Sequence, residues 1–123
     1  MQIKKMTNER SVAPTLAGSM EIVTAFIDAI NAEDFDGARK YASDDMEFEG
    51  VMGTRHGADA YFQDMRKMRL KYWVLKAFEN GDDVCLLYDL EISGKTIFGC
   101  GWYHLTHNKI SRLQVVFDPR PLL

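Results

Sequence analysis

The chain has 123 residues, a net charge of -3 and an isoelectric point near 5.6, with 46% hydrophobic and 27% charged residues. That is the length of one ordinary domain, with enough apolar content to bury a core. The acidic balance argues against nucleic acid, whose phosphates call for a basic surface, and the apolar runs are too short for a membrane-spanning helix.

Residues 1–17 show no hydrophobic period and contain Pro14, so they are expected to form a lead-in to a single domain over residues 18–123. Met1–Arg10 carries charges where a secretion signal needs an apolar stretch. Two cysteines, Cys85 and Cys100, are too few to staple a secreted scaffold and lack metal-ligand spacing. The expected compartment is the cytoplasm.

From Gly18 the pattern becomes helical. Ser19 is a candidate cap, and Ile22, Val23, Phe26, Ile27 and Ile30 fall on one broad apolar face. Asp34 can cap a shorter helix presenting Phe35, Ala38, Tyr41 and Ala42, ended by the Ser43-Asp44-Asp45 cluster. Met46–Glu49 alternates apolar and acidic residues, the pattern of a short strand, and Gly50–Arg55 reads as a loop. Beyond His56, the helical spacing of Ala58, Tyr61, Phe62, Met65 and Met68 predicts a third helix ending in basic residues. Four strands should follow, roughly over residues 70–79, 84–92, 96–106 and 110–117, separated by the turn signals Asn80-Gly81, Ser93-Gly94 and His107-Asn108.

Turn length decides which residues share a sheet face. A two-residue turn at Ser93-Gly94 opposes Leu90 to Ile97, Tyr88 to Gly99, Leu86 to Gly101 and Val84 to Tyr103. A three-residue loop at His107-Asn108-Lys109 adds Leu113, Val115 and Phe117 to that face, and Asn80-Gly81 adds Trp73, Leu75 and Ala77. Helices should pack on this apolar side. The other side carries Tyr72, Val74, Phe78, Leu87, Phe98, Cys100, Trp102, His104, Arg112 and Val116, too apolar to face water. A homodimer is therefore expected through Leu87, Phe98, Cys100, Trp102, His104 and Arg112.

Gly99 and Gly101 leave a central strand without side chains where a core is normally filled. A pocket for a small apolar or aromatic molecule is expected there, with Tyr88 and Tyr103 as hydrogen-bond formers. Its other walls would be Phe26, Ile30, Phe48 and Met65 on one side, and Trp73, Leu86, Val115 and Phe117 on the other. The alternatives at this point are a bend in the strand, or a core closed by side chains from the helices.

The order of elements, with VTAFIDAINAEDFDGARKYASDDMEFEG, then HGADAYFQDM, and ISRLQVVFDP at the end, resembles the NTF2-like superfamily and its SnoaL-like polyketide cyclases. That resemblance, over about residues 16–118, implies an α+β fold of the cystatin-like kind: a cone of three helices on a strongly curved, mainly antiparallel sheet. It also implies a pocket and frequent dimerisation through the sheet. Ketosteroid isomerases, which belong to the superfamily, use a helix tyrosine, an aspartate base ending the first strand and a protonated aspartate on a later strand. Phe26, Gly50 and Gly101 stand at the matching positions, so that mechanism is not expected here, and Glu49 becomes a candidate base only if the register shifts by one.

The remaining weak catalytic candidates are Tyr88, Tyr103 and Asp118, the last by analogy with acid-base residues at the cone mouth. His56, His104 and His107 form no metal motif with the cysteines, and no phosphate loop or nucleophile elbow is present, so neither metal nor cofactor is expected. An isomerase, cyclase or dehydratase and a closed dimerisation module both remain open beside simple ligand binding.

Overall fold

The computed structural model describes residues 18–123, so the expected lead-in over residues 1–17 lies outside the described residues. Its elements are α1 (Ser19–Asn31), α2 (Phe35–Arg39), β1 (Ala42–Gly50), β2 (Gly53–His56), α3 (Ala58–Met68), β3 (Lys71–Asn80), β4 (Asp83–Ile92), β5 (Lys95–Thr106), β6 (Lys109–Phe117) and a terminal 3-10 turn at Arg120–Leu122. The six strands form one sheet in the order β2-β1-β6-β5-β4-β3. All neighbours are antiparallel except β1 and β6.

Helix α1 starts one residue earlier than expected. Gly18, not Ser19, is its N-cap residue, with the Gly18 amide donating to Glu21 Oε1 at 3.2 Å. Glu79 reaches over from β3 to accept the Met20 amide at 3.1 Å, so an orphan donor of the helix start is satisfied from the sheet. Asp34 caps α2 as expected, accepting the Gly37 amide at 3.0 Å. That helix stops at Arg39, however, and Ala42 already belongs to β1, which is nine residues long rather than four. The segment expected as a loop contains β2, an exposed edge strand paired with β1 from Glu47–His56 to Gly50–Gly53.

Between β4 and β5 every expected pairing is found, from Val84–Tyr103 to Leu90–Ile97. Ser93 and Gly94 both take positive φ, 53° and 76°, the type I′ geometry that a two-residue hairpin prefers. The last hairpin reaches the expected faces by another route. His107 and Asn108 make a two-residue turn, pairing Thr106 with Lys109, and the register then shifts so that His104 meets Arg112 and Tyr103 meets Leu113. An extra residue on β6 restores the alternation that the shorter turn would invert.

Strand β3 departs from expectation. Its register shifts between Val74 and Lys76, leaving Leu75 as an additional residue. Ala77 opposes Leu86 on the helical side, but beyond the bulge Val74 opposes Tyr88 and Tyr72 opposes Leu90. Tyr72 is therefore 5% exposed in the core, while Trp73, expected to line the pocket, is 61% exposed on the outer face. A one-residue slip moves every following side chain to the opposite side of a sheet.

The core lies between the helices and the inner face of the sheet. Phe26, Ile27 and Ile30 of α1, Tyr61, Phe62 and Met65 of α3, and Met46, Leu86, Tyr88, Tyr103 and Leu113 of the sheet all belong to one buried cluster. No polar or charged residue is fully buried among the described residues.

Candidate functional site

The core between helices and sheet is built largely of aromatic rings. Phe26 meets Phe62 and Tyr103 edge-on, each at 6.1 Å between centroids, and Tyr72 meets Tyr88 at 4.9 Å. Tyr61 packs against Phe62 at 5.1 Å and Phe48 at 5.2 Å. Phe26, Ile30, Met65, Leu86, Tyr88 and Tyr103 belong to one buried cluster, and Phe48, Val115 and Phe117 are half-buried. Trp73 does not join them.

Over Gly99 and Gly101 the sheet carries no side chains, and the Tyr88 and Tyr103 rings occupy the place where the sequence suggested a pocket. A methyl group added at Gly101 would lie 2.9 Å from the Tyr103 ring and 3.3 Å from both the Tyr88 and Tyr103 hydroxyls. One added at Gly99 would lie 3.1 Å from the Tyr88 ring and 3.1 Å from the Val116 carbonyl. The two phenol oxygens thereby converge on one point above Gly101.

Those two hydroxyls are buried and have no hydrogen-bond partner, while the buried Tyr61 hydroxyl lies beside the Tyr72 phenol. A buried polar group without a partner costs about 1–3 kcal/mol, so two side by side are unusual. Burial pushes the Tyr61, Tyr88 and Tyr103 phenols well above their ordinary value, with the neighbouring Tyr72 phenol adding to the shift. At physiological pH they are neutral, able to donate to or accept from a guest oxygen but not to act as anionic bases. Sequence reasoning singled out Tyr88 and Tyr103. It placed Tyr61 on the apolar face of its helix without a role, and it missed Tyr72 because the bulge at Leu75 carries no glycine or proline to announce it.

The carboxylate candidates stand elsewhere. Glu49 is on the outer face, 3.4 Å from the Arg112 guanidinium, beside the Glu47–His56 pair at 3.0 Å. Asp118 accepts from Arg120 Nη2 at 2.7 Å and Nε at 2.9 Å, and this guanidinium holds its carboxyl down to about 2. His104 joins Asp83 at 2.8 Å, and the same Asp83 oxygen accepts the Trp102 indole N–H at 2.8 Å. His107 sits exposed in its turn. Among the described residues, no cluster of three or more histidine, cysteine or acidic side chains forms a metal site.

On the outer face, Phe78, Phe98, Trp102 and Val116 are each half or more exposed, as are Trp73 and Leu75 from β3. Phe78, Cys85, Cys100, Trp102, Gln114 and Val116 line a shallow depression of about 460 Å³.

A helical layer packed on a curved six-stranded sheet over an aromatic core defines a fold class that known proteins share. Residues 23–113 match the model of the SnoaL-like domain family. The chain belongs to that family and has the NTF2-like fold. An NTF2-like protein of unknown function from Cytophaga hutchinsonii is 46% identical over 89% of this chain and 98% of its own, with a TM-score of 0.86. A putative ketosteroid isomerase from Kribbella flavida shares the fold at 12% identity, covering 81% of this chain and 77% of its own, TM-score 0.76. An LEH-like epoxide hydrolase of M. tuberculosis does so at 22% identity, covering 83% and 84%, TM-score 0.72. No curated protein matches the chain.

Proposed function

We propose that this SnoaL-like domain binds a small, mainly apolar or aromatic molecule bearing a hydrogen-bonding oxygen, between its helices and sheet. The carrying observation is the pair of buried, unpartnered hydroxyls on Tyr88 and Tyr103. A guest enters by displacing the Tyr88 and Tyr103 rings from above the glycines, and its oxygen takes the place of the missing partners. The setting favours binding over acid-base turnover, because both carboxylate candidates are engaged by arginines.

Fluorenone and fluorene, matched in shape but differing in one carbonyl oxygen, test this by ligand-observed NMR. Fluorenone should bind about tenfold more tightly, the worth of one good hydrogen bond, and lose that advantage in the Tyr88→Phe/Tyr103→Phe double variant. Equal affinity for both, or binding of neither, refutes the reading.

A second reading is favoured by the tyrosine rings themselves, which approach the bare glycines closely enough to close the core. The domain is then a pairing module without a guest. In either reading the proposed partner is a second copy meeting the outer face. That face combines exposed aromatics with charges of both signs, Asp83, Arg112 and Glu47, and can therefore complement itself about a two-fold axis.

A further inference from the structure

The two cysteines come closer than their register implies. Cys85 opposes Trp102 and Cys100 opposes Leu87, so the pair is diagonal across β4 and β5, yet the Sγ atoms are 3.5 Å apart. Both are free and half-buried, and both line the outer-face depression. Nothing separates the sulfurs, but diagonal neighbours on paired strands stand about 7–8 Å apart, so closing the bond needs side-chain rotation together with movement of the strands.

The geometry points to Cys85 and Cys100 as a reversible dithiol/disulfide couple on the outer face, oxidised by low-molecular-weight disulfides. Cys85 Sγ, as thiolate, attacks one sulfur of the oxidant, forming a mixed disulfide and releasing one thiol. Cys100 Sγ gives up its proton and attacks Cys85 Sγ, forming the intramolecular bond and releasing the second thiol. Two protein thiols are oxidised and one disulfide is reduced to two thiols, so protons and electrons balance. Burial, with Cys85 beside it, pushes the Cys100 thiol up, so the second step has to draw off its proton. A diagonal bridge departs from relaxed disulfide geometry and is correspondingly easy to reduce again.

Oxidised glutathione is the probe. Pre-reduced protein is incubated at low micromolar concentration, long enough to exchange through free monomer if copies pair, then acid-quenched, alkylated with N-ethylmaleimide and weighed intact. The expected product is lighter by two hydrogens, carries neither maleimide nor glutathione, and runs as a monomer on a non-reducing gel. Dithiothreitol should restore two alkylatable thiols. In Trp73→Phe protein, oxidation should also quench the emission of Trp102, which faces Cys85. Cys100→Ser should retain one unresolved glutathione, showing that Cys85 is reached whether or not the bridge forms. Two maleimides on the parent chain after incubation, a lasting glutathione adduct on it, or a covalent dimer overturns the proposal.

Discussion

Asn31, the last residue of α1, pairs with the backbone of Tyr72 as a neighbouring strand would. Its Nδ2 donates to the Tyr72 carbonyl at 2.9 Å and its Oδ1 accepts the Tyr72 amide at 2.8 Å. The same corner is closed by Lys71 Nζ, which donates to the Asn31 carbonyl at 2.8 Å and to Glu33 at 3.0 Å. Asn31→Ala removes two part-buried hydrogen bonds and is expected to cost about 2 kcal/mol in a urea unfolding series. Asn31→Asp, which sets a carboxylate oxygen against the Tyr72 carbonyl in place of the donor, should not recover that loss.

The rings above the bare strand make a second prediction. Gly101→Ala drives a methyl group against the Tyr103 ring, and Gly99→Ala drives one against the Val116 carbonyl, which belongs to the paired backbone of β6. Each should destabilise by about 1–3 kcal/mol through overpacking. Chemical denaturation measures the loss, and near-ultraviolet circular dichroism should report the displaced tyrosines.

Removing a hydroxyl without a partner should have the opposite sign. Without ligand, Tyr88→Phe and Tyr103→Phe are expected to leave stability unchanged or raise it by about 1 kcal/mol, since the desolvation penalty of the phenol is relieved. A loss of 1 kcal/mol or more in urea unfolding would mean that the hydroxyl is already bonded within the free protein.

Asp118 predicts a pH dependence. Arg120 lowers its carboxyl from an ordinary 3.8 to about 2, so the folded state holds the charged form more tightly than the unfolded chain does. The associated stability is present above the unfolded value and is lost as pH falls from about 4 towards 2. Carboxyl carbon NMR should show Asp118 titrating near 2, and Arg120→Ala, which removes the guanidinium but keeps the backbone amide, should raise it part of the way to the usual carboxylate range. The pair is solvent-exposed, so overall stability should hardly change at neutral pH.

For the outer face, sedimentation equilibrium at micromolar concentration should give twice the chain mass. Phe98→Lys places a charge among exposed apolar side chains and should yield a monomer with unchanged far-ultraviolet circular dichroism. A monomeric parent chain would refute the pairing.

How far the residues announced this structure depended on whether a backbone feature had a chemical signature. Ser93-Gly94 has one, and the whole β4–β5 register was readable from it. The bulge at Leu75 has none, so Trp73 and Tyr72 were assigned to the wrong faces. At the last hairpin, a shorter turn and a bulge offset each other, and Leu113, Val115 and Phe117 reached the expected side by a different mechanism. Strand β2 was invisible because Gly53–His56 is exposed throughout and shows no apolar alternation. In the core, the missing side chains at Gly99 and Gly101 were legible. That Tyr88 and Tyr103 would lean over them was not, since the direction a ring takes depends on all of its neighbours.

One parallel ladder in an otherwise antiparallel sheet ties the order of synthesis to the order of assembly. Met46 and Phe48 sit on a strand whose inner neighbour is supplied by the segment around Leu113, and no local hairpin can stand in for it. A growing chain therefore carries an open seam beside its first helices until nearly the last strand emerges. Closing that seam brings together stretches far apart in the chain, and such distant contacts are the slow step in folding. Substitutions at the β1–β6 seam should accordingly slow refolding more than equally destabilising ones in the β4–β5 hairpin.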